Sequence, residues 1–342
     1  MLAAFPKYSR SNTSQHVPTQ YQYTDLFEFA QSGGKQAFEH VQQMPKTEAY
    51  VNVHIGAKSS VEIIFCDHQT VKWKFCGKRD SKRHELEESS EESTDVSELV
   101  FAKTATSSYC CTSNCIAKVV QFIRYICTLF NAPVNELNVC PSKLHHLEEI
   151  QSVEVLKKSG KVVVREGTVS HEEMRQILGG LKSAKVQIVC NPEPNFTYDG
   201  PISLKNFSAY DSSWFQGPML LNLVNCESVY LTGSQISEEH LNIFLHEWLS
   251  KSSGCGRILS LYTSNPNFGF ESDYEPRGND KKEWDLDKIT QGLSSFQLPS
   301  SIPGLDHSTM RRFHRTIDGT IIDVLKVGHC VEFRGRRQQD VY

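Results

Sequence analysis

Hydrophobic and polar positions change period several times along the chain, and each change predicts an element. Asp25 precedes Leu26, Phe27, Phe29, Phe38 and Val41, an apolar set with helical spacing. Gly33-Gly34 interrupts it, so residues 24–43 should form two short helices rather than one. From residue 49 the pattern is that of strands. Tyr50, Val51, Val53 and Ile55 make one run, and Val61, Ile63 and Ile64 a second. Val71-Lys72-Trp73-Lys74-Phe75 alternates strictly, the mark of a half-buried antiparallel strand. Asp67-His68-Gln69-Thr70 reads as the hairpin turn before it. Helical spacing returns at 116–130: Ile116, Val119, Val120, Ile123, Cys127 and Phe130 share one face, Lys118, Gln121, Arg124 and Thr128 another. Asn131 and Pro133 stop this helix.

Beyond it, strand and helix alternate. Strands are expected near 136–139, 161–164, 185–189, 203–207, 228–231 and 257–262. Ser170 and Glu173 form a capping box ahead of Met174, Ile177, Leu178 and Leu181. A short helix is expected over 217–224, and Ser237 caps another whose inner face carries Leu241, Phe244, Leu245 and Trp248. Strand starts recurring every 20–30 residues suggest a degenerate leucine-rich-repeat-like solenoid, because each unit can bury its apolar face only against its neighbours. Residues 264–309 are polar, with one helix near Trp284–Leu293. Residues 312–334 read as a closing hairpin around Ile317-Asp318-Gly319-Thr320.

Composition refines this α+β or α/β picture. An apolar fraction of 39% is low for a compact globule, so disorder is expected at 1–23 and in an acidic loop, 78–109, that contains KRDSKRHELEESSEESTDVSE. The remaining expected units are helices at 24–44, a small β region at 49–77, a main domain at 110–334 and a tail at 335–342. A net charge of −4 without a basic domain argues against nucleic acid. The chain shows neither a signal peptide nor a spanning segment, and a soluble chain in a reducing compartment, cytoplasm or nucleus, is expected. Eleven cysteines, odd in number and irregular in spacing, read as buried apolar side chains.

Candidate chemistry is sparse. Cys110-Cys111 and Cys115, with Cys127 or His145-His146 as a fourth ligand, match no zinc spacing. No nucleophile elbow, phosphate-cradling glycine loop or dinucleotide fingerprint is present, so no enzyme, cofactor or metal is expected. Tyr210, Trp214 and Phe215 beside small polar residues suit a partner surface. The alternative, preferred on residue type alone, packs Trp214 under the following helix.

Residues 211–249 read DSSWFQGPMLLNLVNCESVYLTGSQISEEHLNIFLHEWL. The order of Asp211, Ser212, Ser213, Trp214, Leu220, Leu221, Cys226, Leu241, Asn242, Phe244, Leu245 and Trp248 resembles the F-box-associated domain of type 2, a nematode-expanded family. At lower similarity the likeness covers most of 24–334. The 116–130 helix looks like the family's middle helix, Arg311–Phe333 its closing hairpin, and Asp25-Leu26-Phe27-Glu28-Phe29 the second half of an F-box. The resemblance implies a non-catalytic substrate-recognition subunit of a Skp–cullin–F-box ubiquitin ligase. Leu26, Phe27, Phe29, Phe38 and Val41 would then be the remnant of an adaptor-binding surface. The leucine–proline opening of an F-box is missing from residues 1–23, so weak or absent docking to a Skp-type adaptor is expected. A stand-alone interaction protein is the alternative, an unrecognised hydrolase a distant one. The protein substrate is not legible.

Overall fold

The computed structural model describes residues 23–44, 48–76, 102–103, 108–111, 115–146, 160–181, 185–224, 226–250, 258–264, 283–296 and 309–336. The expectations for 1–22, 78–101 and 337–342 lie outside them. Two helices, α1 (Tyr23–Ser32) and α2 (Gly34–Gln43), come first. They break where the glycine pair stands, with Gly34 at φ +65°. An antiparallel meander comes next: β1 (Ala49–Ile55), β2 (Ser59–Phe65) and β3 (Thr70–Cys76). The β2–β3 turn closes at His68, φ +66°. Strands β4 (Ala102–Lys103) and β5 (Ser108–Cys111) occupy the end of the expected acidic loop, and β5 pairs parallel with β3.

Helix α3 (Cys115–Phe130) then leads to β6 (Val134–Val139), which pairs parallel with β1. Next come β7 (Lys161–Val164), β8 (Thr168–Val169), α4 (His171–Gly180), β9 (Lys185–Ile188), β10 (Asn191–Pro192), β11 (Asn206–Ala209) and β12 (Ser228–Leu231). Helix α5 (Glu238–Ser250), β13 (Ser260–Ser264), α6 (Leu286–Ile289), β14 (Met310–His314), β15 (Ile321–Val327) and β16 (Cys330–Arg336) complete the chain.

Among the described residues the architecture is mixed α/β around one sheet of 14 strands, in the order β14-β15-β16-β13-β12-β11-β9-β7-β6-β1-β2-β3-β5-β4. From β6 to β13 the strands are parallel and lie side by side in chain order, the short β8–β10 pair apart. Antiparallel meanders flank this run on both sides. Because β1 pairs with β6, the strands expected as a separate region at 49–77 extend the main sheet.

One apolar core runs from Tyr23 to Phe333. At one end Phe27 lies with its ring centroid 5.1 Å from Trp73 and 5.6 Å from Phe122. Four-residue strands such as β7 and β12 cannot be stable alone; their inward Val162, Val164, Val229 and Leu231 are buried in the shared core. Phe27 and Val41 are buried, 2% and 0% exposed, and serve the chain's own core, whereas Leu26, Phe29 and Phe38 are half-buried at its edge.

Other local expectations shift for identifiable reasons. The strand expected at 203–207 forms at Asn206–Ala209, since Ile202 bridges to Leu223 and Leu204 is already buried in the connection. The 217–224 segment is a 3-10 turn, Gly217–Asn222. Only Leu286–Ile289 of the helix expected at Trp284–Leu293 forms, because the Trp284 indole donates to the His329 carbonyl at 2.8 Å and holds the start against the C-terminal strands. Those strands are three, not two, and β16 lies against β13. Among cysteines with described side chains, Cys110, Cys127, Cys140, Cys190, Cys226 and Cys330 are buried free thiols, and Cys66 is exposed, against expectation. No described helix is long and apolar enough to cross a membrane.

Candidate recognition face

Alternation along the parallel strands sends successive side chains to opposite faces of the sheet. One parity, Leu137, Val139, Val186, Ile188, Val229 and Leu231, enters the core. The other parity is mostly polar and partly exposed. Strand register aligns its members into a row across the sheet: His54, Asn138, Val163, Gln187, Ser208, Tyr230, Tyr262 and Glu332. Val163 is the buried apolar exception.

Aromatic rings concentrate at one end of this row. Tyr230 and Tyr262 stack with centroids 4.4 Å apart and planes 6° from parallel, and Tyr210 lies 5.7 Å from Tyr230. Stacking holds both rings in place, which lowers the ordering entropy a contact would cost. Burial raises the Tyr230 and Tyr262 phenols above the ordinary tyrosine range, and for Tyr262 the Cys330 thiol, 2.7 Å away, adds to this. Both therefore remain neutral phenols near pH 7. Charges on the same face neutralise one another locally: Lys161 Nζ lies 2.7 Å from Glu136, Lys72 3.9 Å from Glu62, and Arg334 2.7 Å from Glu332. Burial works against the Glu136 charge, but hydrogen bonds from Lys161 and Asn138 outweigh it and keep that carboxyl below its usual range. Such a face suits contacts through rings and hydrogen bonds rather than through a strong field of one sign.

The loops beyond the strand ends enclose an open cavity of about 350 Å³, with Glu193, Asn195, Phe196, Trp214, Gln216 and Gln235 in its wall. Its frame is a tight turn. Asp211 takes φ +55° and accepts from Asn191 Nδ2 at 2.8 Å; the buried Ser212 hydroxyl donates to the Thr232 carbonyl at 2.9 Å. Trp214 packs edge-on to Phe196 at 5.8 Å, and its buried indole N–H meets no acceptor among the described residues. Of the three residues expected at a partner surface, Tyr210 is half-buried beside the stacked pair and Trp214 is 8% exposed in the cavity wall. Phe215 is corrected: it is fully buried, because the turn at Ser212 aims it at Phe207 in the core.

Residues 197–256 match a family model described as F-box associated. This segment of the chain is similar to an F-box-associated domain. Similarity extends beyond it: over 228 residues, 62% of this chain, the sequence is 26% identical to the Skn-1 dependent zygotic transcript 15 protein of Caenorhabditis elegans. That match spans 60% of the relative's length. No solved structure matches.

Within the matched segment, the motif residues build the frame beside the face. The Cys226 thiol donates to the Ile202 carbonyl at 3.5 Å, and Leu220 is buried while Leu221 is 40% exposed. Ser213 is exposed. Ser237 Oγ accepts from the His240 backbone N–H, capping α5. Leu241, Phe244, Leu245 and Trp248 are fully buried on the inner side of α5, as its period predicts. Asn242 Nδ2 donates to the Ile289 carbonyl at 2.9 Å and to that of Gln291 at 3.0 Å, tying α6 to α5. Residue spacing alone missed Tyr230 and Tyr262. The available signal was a tyrosine at the outward position of two strands, Ser228–Leu231 and Ser260–Ser264, which only the parallel register makes neighbours. The side chains of Cys111, Cys115, His145 and His146 lie outside the described residues.

Proposed function

We propose that this chain is a non-catalytic recognition subunit of the Skp–cullin–F-box kind, holding a protein substrate on the strand face around Tyr230 and Tyr262. The stacked pair carries the reading: two ordered rings, flanked by Tyr210 and by neutralised ion pairs, on the face opposite the core. The F-box-associated match supports a binding rather than a catalytic role. Parallel strands in chain order support a leucine-rich-repeat-like reading, in which the strand face would be an extended binding surface. Free buried thiols such as Cys226 and Cys127 fit a reducing compartment, cytoplasm or nucleus.

The test compares tagged full-length chain with Tyr230→Ser/Tyr262→Ser and with the control Leu221→Ser by quantitative affinity purification. Proteins retained by the parent and by the control should fall about tenfold or more with the double variant. An unchanged set of partners on a double variant with unchanged melting temperature would remove the strand face from the reading.

The burial of Phe27 and Val41 favours a second reading, an interaction protein that does not assemble into a ligase. Titration with a Skp-type adaptor separates the two. A Kd below about 1 μM, roughly −8 kcal/mol, supports ligase assembly, and absent binding supports the stand-alone role.

A further inference from the structure

Three ligand-type side chains from three neighbouring strands meet at the C-terminal ends of β1, β6 and β7. These strands run parallel, with Ile55 beside Val139 and Val139 beside Val164, so the segments leaving them emerge side by side. His54 is the penultimate residue of β1, Cys140 comes directly after β6, and Glu166 stands two residues beyond β7. Glu166 Oε2 lies 3.1 Å from Cys140 Sγ and 3.9 Å from His54 Nε2, and no two of the three ligand atoms are more than 4.8 Å apart. We propose that His54, Cys140 and Glu166 bind a zinc-class divalent cation through three protein ligands, leaving a fourth position to water.

The spacing suits that ion. Tetrahedral bonds of about 2.0–2.3 Å put nitrogen, sulfur and oxygen ligands roughly 3.4–3.7 Å from one another, so the trio closes with movements of about an ångström. A mixed imidazole, thiolate and carboxylate set is typical of zinc and unsuited to magnesium or calcium, which take oxygen.

Gly56 supplies an independent observation. A Cβ there would stand 2.5 Å from Cys140 Sγ and 2.8 Å from His54 Nε2. Gly56 is not among the residues at positive φ, so what it provides is clearance over the two ligand atoms, not conformational freedom. On the other side, Glu166 is held in the left-handed region at φ +69° ahead of Gly167 at φ +90°, a conformation that a non-glycine residue adopts at a cost. Asn138, beside His54 in the register, keeps a buried Oδ1 without a donor among the described residues.

The electrostatics are consistent. Burial lowers the His54 imidazole from its ordinary value, leaving a neutral ring able to ligate. Burial and the Glu166 carboxylate push the Cys140 thiol up to about 11. A divalent cation reverses that bias by displacing the thiol proton to solvent as the metal–sulfur bond forms. The nearby cations are otherwise engaged, Arg165 with Glu136 at 3.8 Å and Lys72 with Glu62 at 3.9 Å.

The experiment titrates reduced, metal-free full-length chain with Co²⁺, follows the thiolate-to-cobalt absorption, and then competes with Zn²⁺. One equivalent of cobalt should bind per chain and be displaced by zinc. The absorption should vanish in Cys140→Ser, and affinity should fall about tenfold or more in Glu166→Gln and in Gly56→Ala. Glu166 is exposed, so Glu166→Gln should keep the parent's melting curve and tests the ligand set without unfolding the chain. Cobalt–thiolate absorption of parental strength in Cys140→Ser, unchanged affinity in Glu166→Gln, or no binding of either metal at about 100 μM would each overturn the proposal.

Discussion

Trp248 offers the most direct test of how α5 is held. Its side chain is fully buried, its indole N–H donates to the Ile258 carbonyl at 3.1 Å, and the Arg315 guanidinium lies 5.1 Å from the ring centroid. Trp248→Ala removes three contributions together. The cavity and lost burial cost about 3–5 kcal/mol. The stranded Ile258 carbonyl adds roughly 1 kcal/mol or more, and the lost cation–ring contact about 0.5–2 kcal/mol. The contributions overlap, so a total of about 4–6 kcal/mol is expected, a large part of the roughly 5–15 kcal/mol that a folded protein has. Trp248→Phe keeps a ring but loses the N–H and should cost about half as much. Urea unfolding followed by circular dichroism measures both, with the midpoint shifting and the slope unchanged. A Trp248→Ala loss below about 1 kcal/mol, or equal losses for the two variants, would refute the assignment of Trp248 as the joint between α5 and the next strand.

Further outcomes rest on single contacts. Asp323 is buried, which opposes its charge, but Arg312 at 2.9 Å and Arg336 at 2.8 Å outweigh that and hold its carboxyl below the ordinary range. A depressed folded-state value contributes stability above the unfolded value near pH 4 and loses it as pH falls further. The stability gap between the parent and Asp323→Asn should therefore be full at pH 6 and shrink below about pH 4 in urea titrations; a gap independent of pH would exclude the ionic role. Gly217 faces the His240 ring, into which an added Cβ would run. Gly217→Ala should cost about 1–3 kcal/mol, and the double variant with His240→Ala should cost less than the sum of the two single changes. Ser170 accepts from the Glu173 N–H while the Glu173 carboxylate accepts from the Ser170 N–H. Ser170→Ala should lower stability by about 1 kcal/mol, measured by thermal melting, and Ser170→Asp should restore most of it.

Several elements were legible because their causes are local. The Gly33-Gly34 break, the alternation of Val71–Phe75, the capping box at Ser170 and the inner face of α5 each depend on residues within a few positions of one another. The motif from Asp211 to Trp248 was equally legible, and the structure gives it physical content: Ser212 reaches Thr232, Cys226 reaches Ile202 and Asn242 reaches Ile289. Periodicity describes one segment at a time, however, and carries no record of which segments become neighbours. It could not tell that Trp284 would be held by His329, that Phe215 would turn inward from the Ser212 corner, or that Phe27 would join Trp73 and Phe122.

What the chain determined by itself was therefore the kind and position of most elements and the likeness of its central segment to an F-box-associated domain. The tertiary structure decided which side chains share a surface. Tyr230 and Tyr262, 32 residues apart in sequence, stack because β12 and β13 pair in parallel register. His54, Cys140 and Glu166 converge because β1, β6 and β7 end together. Strand pairing is set by the burial of one parity of side chains against the helices, and that same choice orders the opposite parity, which carries the proposed recognition face.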